Sequence, residues 1–188
     1  MDRRALLGGA ASVAGFAAFA GCLDAALDAV QGDVSFFMSF HRSHPSDRPL
    51  VVDGLEPDGT RDQYARLLTA RPREPVFTDA VEDAAPHMRS QVRKDDDERF
   101  CLVAELRFDT PTRLGLSRPV TPRWKSWRRL RIPADVRPLA HPGERLRDAD
   151  GVVATMLAIF EHEGATPEVL AMPVTDGDGR PVSTLWAT

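Results

Sequence analysis

Two histidines three residues apart, His41 and His44, with Asp47 and Asp53 following, are the nearest this chain comes to a metal-binding set. Two imidazoles and a carboxylate suffice to hold a divalent transition metal, so His41, His44 and Asp47 are the candidate ligands. Spacing alone does not bring them together. His44 precedes Pro45, which disfavours a helix at that point, so the two rings need not share a face. Glu161-His162-Glu163 offers similar groups, but in a strand these side chains alternate, and the run ends at Gly164, as in a solvated turn. Asp176-Gly177-Asp178-Gly179 has the alternating carboxylates of a calcium loop without its terminal glutamate. Its length and its tolerance of positive φ suit a tight hairpin instead.

A second kind of chemistry is binding. Trp124-Lys125-Ser126-Trp127-Arg128-Arg129 mixes aromatic and basic groups, which together suit a sugar, a lipid headgroup or an anionic polymer. Trp124, Trp127, Arg128 and Arg129 are therefore the candidate ligand-binding residues, and a surface glycan or a protein is the partner class they suggest. The same alternation also suits a strand whose arginine stems cover apolar surface. The formal charge of -4 argues against nucleic acid. The sequence has no serine nucleophile elbow, phosphate loop, dinucleotide fingerprint or zinc-protease histidine pair. No catalytic residue and no cofactor are assigned.

These residues need elements to position them, and most of the patterns have a period of two. Val34, Phe36, Met38 and Phe40 alternate with polar residues, Phe37 excepted, as in a half-buried strand. Leu50-Val51-Val52 reads as a second, closed by Asp53-Gly54. Phe100, Leu102, Ala104, Leu106 and Phe108 share one face of another strand. Cys101 lies within that run and reads as a small buried hydrophobe. Further strands are expected at 113–117, 127–132, 152–160, 169–174 and 182–186. The 152–160 run is apolar on both faces and belongs at the centre of a sheet. One helix is expected over Arg61 to Ala70, where Tyr64, Leu67 and Leu68 fall at helical spacing, Thr60 can cap and Pro72 follows. Asp79 to Lys94 is broken by Pro86 and reads as irregular or two short turns. Short strands joined by proline and glycine predict an all-β, immunoglobulin-like sandwich with that one helix inserted. A small α+β domain is the alternative if Asp79 to Lys94 is helical.

The amino terminus has a different character. Arg3-Arg4 precedes an uncharged, alanine- and glycine-rich run from Ala5 to Gly21, which ends in Phe19-Ala20-Gly21-Cys22. This is the build of a secretory signal, and the run is too weakly apolar for a good spanning helix. Phe19 to Cys22 resembles the lipobox of lipoprotein precursors, and Arg3-Arg4 with Leu6-Leu7 resembles a twin-arginine export signal. The resemblance implies cleavage before Cys22 and lipid on its thiol, which leaves Cys101 without an intrachain partner. Removing residues 1–21 takes away one acid and two bases, so the formal charge moves from -4 to -5. Lys94 and Lys125 are the only lysines among 24 basic residues, and aspartate dominates the acids. In these respects the chain resembles exported proteins of halophilic archaea, where surface charge aids solubility.

The expected organisation is a signal peptide at 1–21, a lipid-anchored tether at 22–33 and a single β-rich domain at 34–188. The expected role is that of an extracytoplasmic lipoprotein, held to the cell membrane through Cys22, with a binding or structural task at the cell surface. Two alternatives stand beside it: a metal or small-ligand carrier using His41, His44 and Asp47, and a hydrolase with dispersed catalytic residues.

Overall fold

The computed structural model describes residues 32–57, 60–92, 98–108, 114–117, 119, 121–126, 128–139 and 144–188. Arg3, Arg4, Cys22 and Trp127 lie outside the described residues, and of the expected tether only Gly32 and Asp33 lie within them. Of the described residues 51% lie in strands and 10% in helices, so the domain is β-rich. In chain order the elements are β1 (Val34–Pro45), β2 (Gln63–Leu68), α1 (Ala80–Ala84), α2 (Pro86–Val92), β3 (Arg99–Phe108), β4 (Leu114–Leu116), β5 (Arg123–Ser126), β6 (Arg129–Arg131), β7 (Ala134–Pro138), α3 (Glu144–Arg147), β8 (Val152–His162), β9 (Val169–Thr175) and β10 (Pro181–Ala187).

The first sheet runs β1-β8-β3-β2 and all its pairs are antiparallel. The second is organised around β9, which pairs in parallel with β6 and β7 and antiparallel with β10; β5 extends β6 and β4 extends β7. One apolar cluster joins the two sheets. Phe100, Leu102, Met156 and Phe160 meet Leu130, Ile132, Leu170, Met172 and Leu185 within it. The opposite face of the first sheet, with Val103, Leu157 and Ile159, packs on Val81, Met88 and Val92 of α1 and α2 and on Val76 and Phe77. β8 is therefore covered on both sides, and its uninterrupted apolar sequence follows from that position.

Three expectations about local structure change. Leu50-Val51-Val52 forms no strand, only an isolated antiparallel bridge between Val51 and Phe77. Val34, Phe36, Met38 and Phe40 do not share a face, because β1 is bulged between Phe36 and Met38. The extra residue, Phe37, reverses the alternation. Val34 and Phe36 pack into the cluster between the sheets, Met38 and Phe40 into the helix-side cluster. The helix expected over Arg61 to Ala70 is instead the strand β2, paired with β3 from Gln63↔Leu106 to Leu68↔Cys101. The spacing of Tyr64, Leu67 and Leu68 that suggested a helix arises because β2 also has two covered faces: Ala65 and Leu67 join one cluster, Tyr64 and Leu68 the other.

Residues 80–92 of the region expected to be irregular or two short turns form α1 and α2, separated at Ala85 immediately before Pro86. Gly32 fixes where the chain joins the domain. Its φ is +65°, and a Cβ there would come within 1.3 Å of the Glu163 carbonyl oxygen, so no side chain fits. The Gly32 carbonyl accepts a hydrogen bond of 3.0 Å from Trp124 Nε1 of β5.

Candidate functional site

The helix-side face of the first sheet carries a line of polar groups in otherwise apolar surroundings. Thr155 on β8 lies directly opposite Glu105 on β3 and Arg42 on β1, and His44 is two residues further along β1. Residues opposite one another, or two apart, share a face of a sheet. Thr155 Oγ1 is 2.8 Å from Glu105 Oε1 and 2.9 Å from His44 Nε2. His44 Nδ1 lies 3.0 Å from the Pro45 carbonyl oxygen, and Leu55 N–H donates to Glu105 Oε2 over 2.9 Å. His44 is 5% exposed, Glu105 and Thr155 1% each.

Burial disfavours charge at both ends of this line. It pushes the His44 pKa down to about 4, against the opposing pull of the Pro45 and Arg48 carbonyls. It raises the Glu105 carboxyl above its ordinary value, opposed by the Leu55 N–H, Thr155 and Arg107. One uncharged proton arrangement satisfies every atom. In it His44 Nδ1–H donates to Pro45, Nε2 accepts from the Thr155 hydroxyl, and the Thr155 oxygen accepts the proton of Glu105, in place of the Thr155 donation to Glu105 Oε1 that serves a charged carboxylate. The Glu105 oxygen left over accepts from Leu55. Gly54 is part of this packing, since a Cβ there would lie 2.3 Å from Glu105 Oε2. Arg107, two residues along β3, donates to the carbonyls of Glu56 and Pro57, so β3 holds the 53–57 loop by two side chains.

A cleft of about 720 Å³ opens beside His44. Its polar lining includes His41, Arg42, His44 and Arg48 from β1 and the loop after it, Asp83 from α1 and Glu144 from α3, with Leu50 and Leu139 among the apolar walls. Its chemistry suits a small ligand with an acidic group better than a metal. His41 and His44, three apart on a strand, project to opposite faces of β1. His41 Nε2 is 2.6 Å from Ser39 Oγ, whereas both nitrogens of His44 are engaged in the buried line. Asp47 is exposed. Among the described residues no group of three or more His, Cys, Asp or Glu side chains is gathered as a metal set. Thr155 and Glu105 are sealed beneath the sheet surface, and their part is to position His44 and the 53–57 loop.

Other singled-out residues have structural settings. Glu161 is ion-paired with Arg99 over 2.7 Å, and His162, expected in a solvated turn, is the buried last residue of β8. The Asp176 carboxylate accepts from the N–H groups of Asp178 and Arg180, closing the β9–β10 hairpin. Cys101 is a free thiol whose pKa burial pushes up to about 11, the setting of an unreactive cysteine.

The aromatic–basic run is divided by the fold. Trp124 is half-buried against the inter-sheet cluster and spends its N–H on Gly32. Arg128, at φ 56° in the β5–β6 turn, is ion-paired with Glu168. Arg129 faces solvent, with its guanidinium 5.9 Å from the ring centre of Trp186, which is 56% exposed. The same outer face holds Arg131 opposite both Arg123 and Ala171, and Ala171 in turn opposite Trp186. Trp186 was missed by reading the 124–129 run alone. Its signal was the alternation of β10, where Leu185 and Ala187 are buried and Thr184 and Trp186 are exposed. No family model, curated protein or solved structure matches the chain.

Proposed function

We propose that the chain is an extracytoplasmic lipoprotein, anchored through Cys22, whose β-rich domain binds an anionic component of the cell surface. The anchor rests on Arg3-Arg4, the Ala5–Gly21 run and Gly21-Cys22. The observation that carries the binding role is the outer face of the second sheet. Arg123, Arg129 and Arg131 stand there beside an exposed tryptophan on a chain of net negative charge. Within this reading the fold is an immunoglobulin-like sandwich, supported by two sheets sharing one core. The parallel β6–β9 and β7–β9 pairs depart from the antiparallel sheets of that architecture.

The anchor is tested by Cys22→Ser. Two buried acyl or isoprenoid chains at about 0.8 kcal/mol per methylene hold a protein on a membrane without a spanning helix. Wild type is expected in the membrane fraction with an intact mass that includes lipid. The variant is expected in the medium or as uncleaved precursor, its domain still folded. A wild-type protein of unmodified mass in the soluble fraction overturns the anchor. A second reading, a carrier of a small acidic ligand, draws on the cleft beside His44 with Arg42 and Arg48 in its lining.

A further inference from the structure

The outer face of the second sheet has a charge pattern that folding does not explain. Arg123 and Arg131 are directly opposed across β5 and β6, and like charges so placed repel. Among the described residues neither has an ion pair or a hydrogen bond, and Arg129 has only the ring of Trp186. Exposed Lys125 lies in the same hairpin. Beside this cationic row lie half-buried Pro173 and exposed Trp186, whose large ring projects above the buried Ala171.

The second observation is where the chain joins the domain. Gly32 is locked against Glu163 by its lack of a side chain and tied by its carbonyl to Trp124, the neighbour of Arg123 on β5. The segment that leads back to Cys22 therefore departs beside the strand that starts the arginine row. Nine residues lie between Cys22 and Gly32, ten steps along the chain, a reach of at most about 35 Å. Trp124 points to the core side of β5 and Arg123 to the outside, so the segment leaves at the edge of the sheet, and its reach lets the outer face lie flat on whatever holds Cys22.

We infer that this face docks onto the membrane surface itself: Arg123, Arg129 and Arg131 engage anionic lipid headgroups while Trp186 enters the interfacial layer. Arginine matches phosphate oxygens in bidentate fashion, and tryptophan is suited to the boundary between headgroups and acyl chains. The inference rests on the proposed anchor for its geometry, but the face and its ligand are separately measurable.

The test uses the mature protein, reconstituted through its own lipid into vesicles of phosphatidylcholine with phosphatidylglycerol and a headgroup nitroxide. Tryptophan fluorescence should be quenched in these vesicles and not in phosphatidylcholine alone. Trp186→Phe should remove that difference, and combined Arg123→Gln, Arg129→Gln and Arg131→Gln, or high salt, should suppress it. If intact mass shows Cys22 unmodified, the anchor has failed, and the same protein is sedimented with preformed vesicles. Preferential binding to the anionic vesicles, weakened about a hundredfold by the three substitutions together, then supports docking without the anchor. Equal quenching in neutral and anionic vesicles, or Trp186 quenched no more than in free solution, overturns the inference. So does salt-sensitive retention on heparin without any vesicle response, which assigns the face to an acidic polysaccharide.

Discussion

The two sheets of this domain treat polar side chains in opposite ways. In the first sheet, covered on both faces, His44, Thr155 and Glu105 are sealed in and bonded to one another, so that the interior carries hydrogen bonds with little charge. In the second, whose outer face is bare, Arg123 and Arg131 oppose each other with no counterion among the described residues. Buried polar groups are costly unless every partner is present, whereas exposed like charges cost little because water screens them. Stability should therefore be sensitive at the first site and nearly indifferent at the second. Unsatisfied charge is affordable only where it can meet a partner from outside.

The sharpest way to break this contrast is at the middle of the buried line. Thr155→Val keeps the volume and removes the hydroxyl that links His44 to Glu105. Two buried groups then lose a partner, each loss costing about 1–3 kcal/mol, so a total near 3 kcal/mol is expected as a lowered urea midpoint. A change below about 0.5 kcal/mol would mean that water or an alternative rotamer satisfies the pair. Glu105→Gln is the matched control. Its amide can donate to Thr155 as the carboxyl proton does in the uncharged arrangement, and its oxygen can accept from Leu55, so a cost within about 1 kcal/mol is expected.

The same control sharpens the comparison through pH. Glu105 has its pKa raised on folding, so its contribution is complete below the ordinary value of 4.5 and is lost as pH rises through the folded value. His44 has the opposite sense. Its pKa falls from 6.5 to about 4, so its contribution is complete above 6.5 and is lost as pH falls through that window. The two slopes oppose each other where the windows overlap, above 4.5 and below 6.5. Urea midpoints should therefore favour Glu105→Gln over wild type increasingly as pH rises from 4.5 through the folded Glu105 value. A constant difference would mean that Glu105 ionises in the folded protein as it does in the unfolded chain.

How much of this was legible in the sequence follows from the faces. β8 was readable as central because a strand covered on both sides has apolar residues throughout. The β9–β10 hairpin was readable from its glycines and aspartates, and the 79–94 break from Pro86. The rest depended on which layer covers which face, which local pattern does not record. Leu67 and Leu68 mimic a helix because they enter different cores, and Phe37 departs from alternation because it is the bulge that exchanges the two faces of β1. Both candidate sites failed to assemble as runs for the same reason: β1 sends His41 and His44 to opposite sides, and the turn after β5 separates Trp124 from Arg129. Their working neighbours, Thr155 and Glu105 in one case and Trp186 in the other, come from strands far along the chain.

The smallest expected effect tests the other half of the contrast. Arg131 is exposed, lies between Arg123 and Ala171, and has no bond among the described residues that a substitution would break. Arg131→Gln keeps most of the stem that lies over the sheet and removes one of two repelling charges, so its effect on the urea midpoint should be within about 0.5 kcal/mol and in the stabilising direction. Raising salt should erase the difference, because screening does for wild type what the substitution does for the variant. A loss of more than 1 kcal/mol, independent of salt, would mean that the guanidinium is a structural part of the sheet. The second sheet would then resemble the first, and its arginines would give no reason to look for a partner. A neutral or stabilising result leaves the row as charge that folding does not require, the pattern expected of a surface kept for binding.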